Sequence, residues 1–242
     1  MQLKLFHKGF NYSQDGTGNR LVYHLQGCNL SCPWCANPEG MDAEGPDTFT
    51  MTIEEMCEEI VRCKPMFFDG GGVTFTGGEA TCQFIALKEI LTRLKRIGIS
   101  TALETNGTSS KLPELFPVLD ELIMDYKHYD SKIHKKIMGL GNDVIKENLG
   151  KAFVEHPKLL VRIPLIGKVN ASECDIEQFI AFFNQYHFFN ARFELLCYHE
   201  YGKAKWTKCG KEYIVQDAFV PEKTRVNYEN KMRMCGFNIV RT

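Results

Sequence analysis

Apolar segments of strand length alternate with amphipathic helical segments along the whole chain of 242 residues. This alternation predicts a parallel β-sheet covered by helices, because each strand returns to the sheet through a helical crossover. We predict strands at 21–25, 72–76, 100–104, 121–125, 159–165 and 192–196. We predict helices at 52–63, 82–97, 111–117, 130–138, 143–155, 172–187 and 221–235, the first with a capping box from Thr52 to Glu55. Six strand-helix units are too few for a closed eight-stranded barrel, and they favour an α/β fold of the partial (β/α)6 TIM barrel type.

Three cysteines lie in the loop after the first predicted strand, in the spacing C-x3-C-x2-C. They are Cys28, Cys32 and Cys35, and the segment that contains them is called here the cysteine loop. Three thiolates so close in sequence are typical of one metal centre, and they leave one coordination position without a cysteine. Structural zinc takes four protein ligands in a closed tetrahedron, whereas a [4Fe–4S] cluster takes one ligand on each iron. The spacing therefore favours a cluster with one open iron, with zinc or an unrelated group of thiols as the alternatives.

Net charge and cysteine content bear on the compartment and on the functions that can be excluded. The formal net charge is −1, so no global field attracts nucleic acid or anionic membranes. The first seven residues alternate like a strand and lack the apolar stretch of a secretory signal, and no apolar run reaches membrane-spanning length. Clustered cysteines in such a chain indicate metal ligands in a reducing cytoplasm. The other seven cysteines lack ligand spacing and are interpreted as small apolar residues.

Further motifs follow the later predicted strands, at the edge where barrel enzymes build their sites. Gly77 and Gly78 allow close approach of the backbone to a ligand, although an ordinary strand-to-helix turn would use the same residues. Residues 104–107 read Glu-Thr-Asn-Gly, in which Asn-Gly is also a turn signal. Asp125 and Lys127 end the fourth strand on one face, either as a surface ion pair or as partners of a zwitterionic ligand.

The cysteine spacing, with an aromatic residue before the last cysteine, resembles the cluster motif of the radical S-adenosylmethionine (SAM) enzymes. Within that superfamily the chain resembles the glycyl radical enzyme activating enzymes, of the pyruvate formate-lyase activating enzyme type, over nearly its whole length. The segment 15–20, the motifs just named and the run 199–206 (His-Glu-Tyr-Gly-Lys-Ala-Lys-Trp) carry this resemblance. The last run is specific to the activating enzymes rather than to the superfamily.

The resemblance implies the radical SAM fold, one [4Fe–4S] cluster and SAM as cofactors. In that family the reduced cluster cleaves SAM to a 5′-deoxyadenosyl radical, which removes a hydrogen atom from the Cα of one glycine on a partner enzyme. It further implies an anaerobic, oxygen-sensitive monomer that receives one electron from an external flavodoxin or ferredoxin. The chemistry then belongs to the cofactor, while the protein supplies binding, orientation and exclusion of water.

The resemblance also assigns roles to single residues. The catalytic positions are Cys28, Cys32 and Cys35, as cluster ligands, and Lys127. The positions that bind SAM are Trp34, Gly77, Gly78, Glu79, Glu104, Thr105, Asp125, Lys127, Arg162 and His199. In these roles the glycine motif meets the amino group of SAM, Lys127 its carboxylate and His199 its adenine. Asp15 is expected to help hold the glycine loop of the partner.

Four positions depart from the family pattern. Thr17 and Asn19 stand where the family has proline and a β-branched residue, and Ala36 stands where it often has histidine. Glu104 stands where the family often has an aspartate, which helps bind a monovalent cation beside SAM. A cation at this position would have to bind the longer carboxylate of glutamate instead. These changes leave the radical chemistry intact and bear on the identity of the partner.

The chain is expected to form a single domain over residues 1–242, with one cluster. No clustered cysteine run follows the cysteine loop, as a ferredoxin-like insert would require. A radical SAM enzyme acting on a small molecule or a peptide is the alternative function, and an activase of anaerobic ribonucleotide reductase is a near relative of the first. A non-catalytic iron–sulfur or zinc module would leave the motifs after the strands without a role.

Overall fold

The computed structural model describes residues 1–188 and 190–242, which divide into two compact units. Unit 1 comprises Met1–Asn29, Asn37–Thr105 and Ser109–Ile123, and unit 2 comprises Leu30–Ala36, Asn106–Thr108 and Met124–Thr242. The division falls inside the cysteine loop, so that Cys28 belongs to unit 1 while Cys32 and Cys35 belong to unit 2. No helix among the described residues combines the length and the apolar character that a bilayer span requires.

Unit 1 is built on a mixed sheet. Its strands are β1 (Gln2–Tyr12), β2 (Asn19–Leu25), β3 (Phe49–Thr52), β4 (Gly72–Gly77), β5 (Thr101–Thr105) and the first part of β6 (Glu121–Asp125). Their order is β3-β1-β2-β4-β5-β6, with β2, β4 and β5 parallel and β1 antiparallel to both β2 and β3. The predicted parallel strands are confirmed. The prediction did not contain β3, nor β1 beyond its first residues.

Two α-helices and several 3-10 turns complete unit 1. The helices are α1 (Ile53–Cys63) and α2 (Phe84–Arg96), and 3-10 turns cover Pro38–Gly40, Lys64–Met66, Ala80–Gln83 and Leu112–Val118. The capping box is confirmed, since Glu55 N donates to Thr52 Oγ1 at 3.1 Å and Thr52 N donates to Glu55 Oε2 at 2.7 Å. The helix predicted at 111–117 is a 3-10 helix, because Pro113 and Pro117 remove backbone donors that an α-helix would use.

Unit 2 continues the alternation of strands and helices. Its elements after β6 are α3 (Ser131–Met138), α4 (Asp143–Glu155), β7 (Leu159–Leu165), α5 (Glu173–Phe183), β8 (Ala191–Cys197), α6 (Lys203–Lys208) and α7 (Glu222–Met234). The strand order is β6-β7-β8, and β7 and β8 are parallel, with Leu159 opposite Ala191. The predicted strands and helices are confirmed. The two differences are that α5 ends at Phe183 rather than at 187 and that α6 was not predicted.

Aromatic rings form the core of unit 2 between α4, α5 and the strands. The rings of Phe183 and Phe193 have centroids 5.0 Å apart, and Phe237 lies 5.0 Å from Phe193. Tyr126, at the end of β6, stacks on Phe182 at 4.8 Å. Such pairs contribute about 0.5–1.5 kcal/mol each beyond the area they bury. The core therefore packs on β8 and on Tyr126, which lies between the predicted site residues Asp125 and Lys127.

Candidate active site

The cysteine loop begins directly after β2, and backbone hydrogen bonds hold its first residues within unit 1. Gly27 N donates to Gly40 O at 3.0 Å, and Cys28 N donates to Met41 O at 3.0 Å. The Cys28 side chain is half-buried. Because both bonds are made by backbone atoms, they fix the direction in which the loop leaves the strand.

Gly78 lies so close to the start of the loop that only glycine fits. A Cβ atom at this position would lie 2.2 Å from Gly40 O and 2.4 Å from Gly27 O. Gly78 N donates to Leu25 O at 2.9 Å, so the peptide itself binds the end of β2. Gly77 has φ of +124°, in the region that favours glycine, and it abuts the backbone of Leu25. The paired glycines therefore seat the cysteine loop on the end of β4.

The carboxylate of Glu79 is buried and accepts hydrogen bonds from two threonines. Its Oε1 accepts from Thr81 Oγ1 at 2.5 Å and from Thr105 Oγ1 at 2.7 Å. Glu79 N donates to Gly27 O at 2.8 Å. A buried carboxylate is stable when such donors replace water. The structure thus brings two predicted SAM-binding residues, Glu79 and Thr105, into contact beside the start of the cysteine loop.

One face of β4 links the predicted partner-binding segment to Glu104. Thr74 and Thr76 share this face, because side chains alternate along a strand. Thr76 Oγ1 donates to Glu104 Oε2 at 3.1 Å, and Thr74 Oγ1 donates to Asp15 O at 2.6 Å. The carboxylate of Asp15 accepts a hydrogen bond from Asn11 Nδ2. The backbone of Asp15 and the carboxylate of Glu104 therefore both contact the same face of β4.

A fully buried arginine anchors the Asp15 segment. Arg20 Nε donates to Thr74 Oγ1 at 2.7 Å, Nη2 donates to Val73 O at 2.7 Å, and Nη1 lies 3.8 Å from Glu121 Oε1. Burial lowers the pKa of Arg20, and the Glu121 carboxylate opposes that shift. Thr17 N donates to Glu121 Oε1 at 3.1 Å. This bond explains the departure at position 17, because the proline of the family pattern would have no N–H to donate.

The second part of the cysteine loop is held within unit 2 by the run that resembles the activating enzymes. Cys32 is buried, and Cys35 N donates to Cys32 O at 3.1 Å in a tight turn. Trp206 Nε1 donates to Cys35 O at 2.9 Å. A Cβ atom at Gly202 would lie 2.6 Å from Cys35 O and 2.7 Å from Ala36 Cα. Gly202 and Trp206 therefore hold the backbone that carries the last cysteine.

Trp34 and His199, the two predicted adenine contacts, each pack on neighbouring side chains of unit 2. Trp34 packs on a small apolar cluster that includes the buried residues Ile166 and Tyr198. His199 stacks on Tyr201 with ring centroids 4.2 Å apart and planes 21° apart. Burial lowers the pKa of His199, so its imidazole is neutral at pH 7. A flat, neutral and half-buried ring is suited to contact a base such as adenine.

Asp125 and Lys127 form an ion pair with atoms 2.5 Å apart, which confirms that they lie on one face. A residue that sequence reasoning missed holds the backbone of this pair. The fully buried Asn170 donates from Nδ2 to Lys127 O at 2.8 Å and to Pro164 O at 2.7 Å, and it accepts from Ile166 N at 2.7 Å. The sequence does not reveal this role, because the partner that matters for the pair, Lys127, lies 43 residues away from Asn170.

Arg162 has a partner on the neighbouring strand. Its Nε donates to Glu194 Oε2 at 2.9 Å, and both side chains are buried. Thr242 N and Oγ1 also donate to the Glu194 carboxylate. The sequence expectation that a buried arginine requires pairing is therefore met by Glu194. A ligand near Arg162 would meet an ion pair rather than an isolated cation.

The donor set of the cysteine loop suits an iron–sulfur cluster. No disulfide joins any of the ten cysteines, all of which lie in the described residues. Within those residues no three His, Cys, Asp or Glu side chains meet as ligands of a single ion. A [4Fe–4S] cluster requires another arrangement, with each thiolate on its own iron. Burial, with the Glu79 carboxylate adding to it, raises the pKa of Cys82 to about 11. The expected ligand set remains Cys28, Cys32 and Cys35, which have the sequence spacing of cluster ligands.

Comparison with known families accounts for this combination of fold and site. Residues 22–182 match the Radical SAM superfamily, and the chain therefore belongs to the radical SAM superfamily. It shares a fold with Streptococcus suis SuiB bound to precursor peptide SuiA, at a TM-score of 0.65 and 18% identity over 90% of this chain and 47% of that one. The α/β architecture of the partial-barrel type predicted from the sequence is confirmed.

Within the superfamily, the chain is an enzyme that belongs with the glycyl radical enzyme activating enzymes. It is 30% identical to the pyruvate formate-lyase-activating enzyme of Staphylococcus epidermidis over 233 residues, which cover 93% of this chain and 91% of the relative. It is 28% identical to the 4-hydroxyphenylacetate decarboxylase activating enzyme of Clostridioides difficile, in an alignment 267 positions long that covers 84% of this chain and 84% of the relative. A domain of the pyruvate-formate lyase-activating enzyme from Bacteroides vulgatus is similar at a TM-score of 0.58 and 26% identity, over 71% of this chain and 98% of that one.

Replacing Trp206 with phenylalanine tests whether its indole holds the last cysteine. Phenylalanine keeps a ring against Tyr213 but removes the donor to Cys35 O. We expect a loss of about 1 kcal/mol, or about 2–4 °C in Tm, and faster loss of iron to a chelator. Tyr213→Phe is the matched control, since it also removes one hydrogen bond, to Tyr198, without touching the cysteine loop. Equal rates of iron loss in the two variants would show that the Trp206 bond does not secure the cluster.

Proposed function

We propose that this enzyme installs a glycyl radical on a partner protein by reductive cleavage of SAM at one [4Fe–4S] cluster. The observation that carries the proposal is similarity over nearly the whole chain to relatives whose names describe them as activating enzymes of pyruvate formate-lyase and of 4-hydroxyphenylacetate decarboxylase. The run 199–206 adds support, because its Gly202 and Trp206 contact the backbone of Cys35.

In this proposal Cys28, Cys32 and Cys35 hold the cluster through three thiolates. Soft thiolates are the donors that iron–sulfur clusters require, and each binds a separate iron. When bound, the reduced cluster supplies the electron that converts SAM to methionine and a 5′-deoxyadenosyl radical able to take hydrogen from a glycine Cα. The chain contributes the course of the loop backbone, since Gly78 packs on Gly27 just before Cys28, and Gly202 and Trp206 contact the backbone oxygen of Cys35.

SAM is proposed to bind along the ends of the parallel strands. In unit 1 the candidate contacts are Gly77, Gly78, Glu79, Glu104 and Thr105, of which Glu79 and Thr105 already share a hydrogen bond. In unit 2 they are Trp34, Asp125, Lys127, Arg162 and His199, of which Arg162 is paired with Glu194. The Lys127 ammonium would bind the carboxylate of SAM while Asp125 keeps its charge balanced. The glycines would leave backbone groups accessible to the amino group.

The partner is proposed to be a glycyl radical enzyme whose glycine loop approaches Asp15. The Asp15 segment is suited to this role because Arg20, Thr74 and Glu121 fix its backbone. Of the two departures, Thr17 is half-buried, whereas Asn19 is buried and donates from Nδ2 to Met66 O. We further propose a monomer acting in the cytoplasm, with a flavodoxin or ferredoxin as electron donor. The monovalent cation beside Glu104 stays a prediction from the resemblance.

A single cluster and a single domain over residues 1–242 remain part of the proposal. The alignment with the Clostridioides difficile relative spans 267 residues, more than the 242 of this chain, so that relative contains inserted residues that this chain lacks. Cys57 and Cys63, the cysteines nearest in sequence after the loop, lie in α1 instead.

The decisive experiment uses anaerobically reconstituted and reduced enzyme with SAM. A peptide copying a glycyl-radical loop, and an intact glycyl radical enzyme, serve as substrates, and the product is recorded by EPR spectroscopy. A glycine-centred doublet on either substrate supports the proposal. Formation of 5′-deoxyadenosine without a radical on any of several intact glycyl radical enzymes would instead favour a small molecule or a peptide as the substrate.

A further inference from the structure

Two helices of unit 2 hold the part of the cysteine loop that runs from Leu30 to Ala36. The C-terminal end of α3 accepts a hydrogen bond from it, since Ser31 N donates to Met138 O at 3.0 Å. The helix α6 donates one to it, from Trp206 Nε1 to Cys35 O at 2.9 Å. Both helices are therefore surface elements in direct contact with the segment that carries two of the three cluster ligands.

These two helices have an unusual charge for a chain whose formal net charge is −1. The sequence of α3 is SKIHKKIM and that of α6 is KAKWTK, so together they contain six lysines and no carboxylate. The six lysines, called here the lysine surface, are Lys132, Lys135, Lys136, Lys203, Lys205 and Lys208. All are exposed except Lys205, which is half-buried.

The carboxylates next to the lysine surface offset only part of this charge. Glu200 forms an ion pair with Lys203 at 2.9 Å. Asp130 accepts hydrogen bonds from the first backbone N–H groups of α3, and Asp143 accepts one from Ser131 Oγ. Lys136 and Lys208 are exposed, one on each helix, and they represent the two helices in the test below. A concentration of positive charge beside a redox centre speeds the encounter with a protein of opposite charge.

We propose that the lysine surface is the docking site of a small acidic protein that carries one electron, of the flavodoxin or ferredoxin class. This inference rests on the proposed function, because it requires a redox cluster behind the segment from Leu30 to Ala36. In the transfer the carrier is oxidised by one electron, and that electron enters the group held by the three thiolates. No bond is formed or broken, and no proton moves. The site is specific in charge and position, since it lies on the helices that bind Ser31 and Cys35.

The test measures binding of oxidised flavodoxin to the full-length holoenzyme by titration calorimetry, at low ionic strength and in 0.5 M salt. The variant Lys136→Glu/Lys208→Glu is expected to raise Kd at least about tenfold at low ionic strength, with the difference largely lost in high salt, where the Debye length falls to a few ångströms. Lys136→Gln/Lys208→Gln provides a second variant that removes the charges without reversing them, and it should show a smaller effect in the same direction.

Lys151→Glu/Lys223→Glu is the matched control, because it makes the same change in net charge at exposed lysines of α4 and α7. It should bind flavodoxin within about twofold of the unchanged enzyme. Equal losses in both double variants, or wild-type binding by the lysine-surface variants, would overturn the proposal. The proposal would also be overturned by lysine-surface variants that bind flavodoxin normally but fail to bind the glycyl radical enzyme. The lysine surface would then be the binding site of the glycyl radical enzyme.

A chemical reductant separates this inference from the proposed function, because it reduces the enzyme without a docking protein. Dithionite replaces the carrier, and 5′-deoxyadenosine is measured with each reductant. The docking proposal expects the lysine-surface variant to be at least about tenfold slower than wild type with flavodoxin and unimpaired with dithionite. Absence of 5′-deoxyadenosine from the wild-type enzyme with dithionite would count against the proposed function alone, while the calorimetric comparison would still decide the docking site.

Discussion

Replacing Cys32 with serine is expected to abolish cluster binding and SAM cleavage. The thiol is buried in the loop, and serine keeps its size while replacing a soft, readily ionised donor with a hard hydroxyl that stays protonated at neutral pH. Even the loss of groups that only support metal ligands costs 10–100-fold in affinity or activity, so the loss of a ligand should lower 5′-deoxyadenosine formation by at least about 100-fold. Iron content, the visible absorbance of the cluster and product formation measure the effect under anaerobic conditions.

Cys235→Ser is the matched control for this substitution. Cys235 is exposed and follows α7, outside the cysteine loop, so its replacement should leave iron content and activity unchanged. Circular dichroism checks that both variants fold. A Cys32→Ser enzyme that retains a full complement of iron and sulfide would show that Cys32 is not a ligand, and it would reopen the zinc and simple thiol alternatives for this spacing.

The parallel part of the fold was predictable because each strand is a short apolar run with a helix after it. The strands β2, β4, β5, β6, β7 and β8 all coincide with predicted segments. The strand β3 was not predictable, since its four residues alternate between half-buried and exposed and its hydrogen bonds depend on a distant strand, β1. A short edge strand has little of the apolar signal on which such a prediction rests.

The local features of the site could be predicted, whereas the long-range ones could not. The Asp125–Lys127 pair and the Thr52 capping box involve residues two or three positions apart, and the structure confirms both. Asn170 and the bond from Trp206 to Cys35 connect residues far apart in sequence. Their side chains are of types that occur in many loops, and only the fold gives them partners. Sequence resemblance identified the run containing Trp206 without supplying its physical role.

Close packing of backbones explains two glycines in the motifs of the resemblance: Gly78, which the resemblance assigns to the SAM site, and Gly202, to which it assigns no role. Gly78 meets the backbone of Gly27 and Gly40 in unit 1, and Gly202 meets the backbone of Cys35 and Ala36 in unit 2. In both places the requirement for glycine comes from the closeness of two backbones, which leaves no room for a side chain. The cysteine loop is held from each of its ends by this same device, within the unit to which that end belongs.

Replacing Gly78 with alanine is accordingly expected to disturb the cysteine loop and to destabilise the protein. The new Cβ would lie 2.2 Å from Gly40 O and 2.4 Å from Gly27 O, and both contacts are with backbone atoms that cannot rotate away. Overpacking costs about 1–3 kcal/mol where side chains can adjust, so we expect about 3 kcal/mol or more here, or roughly 6–12 °C in Tm. Thermal unfolding and iron content after reconstitution measure the two consequences.

Gly9→Ala provides the control for a glycine in a strand of the same unit. Its Cβ would meet only His7 Nε2, at 3.6 Å, which is an ordinary contact. Alanine at such a position should be neutral or stabilise by about 0.5–1 kcal/mol, because glycine loses more conformational entropy on folding. If Gly78→Ala were as stable as Gly9→Ala and bound as much iron, the close packing would not be what demands glycine at position 78. The motif would then have to be explained by contact with SAM alone, which a loss of SAM affinity with an intact cluster would show.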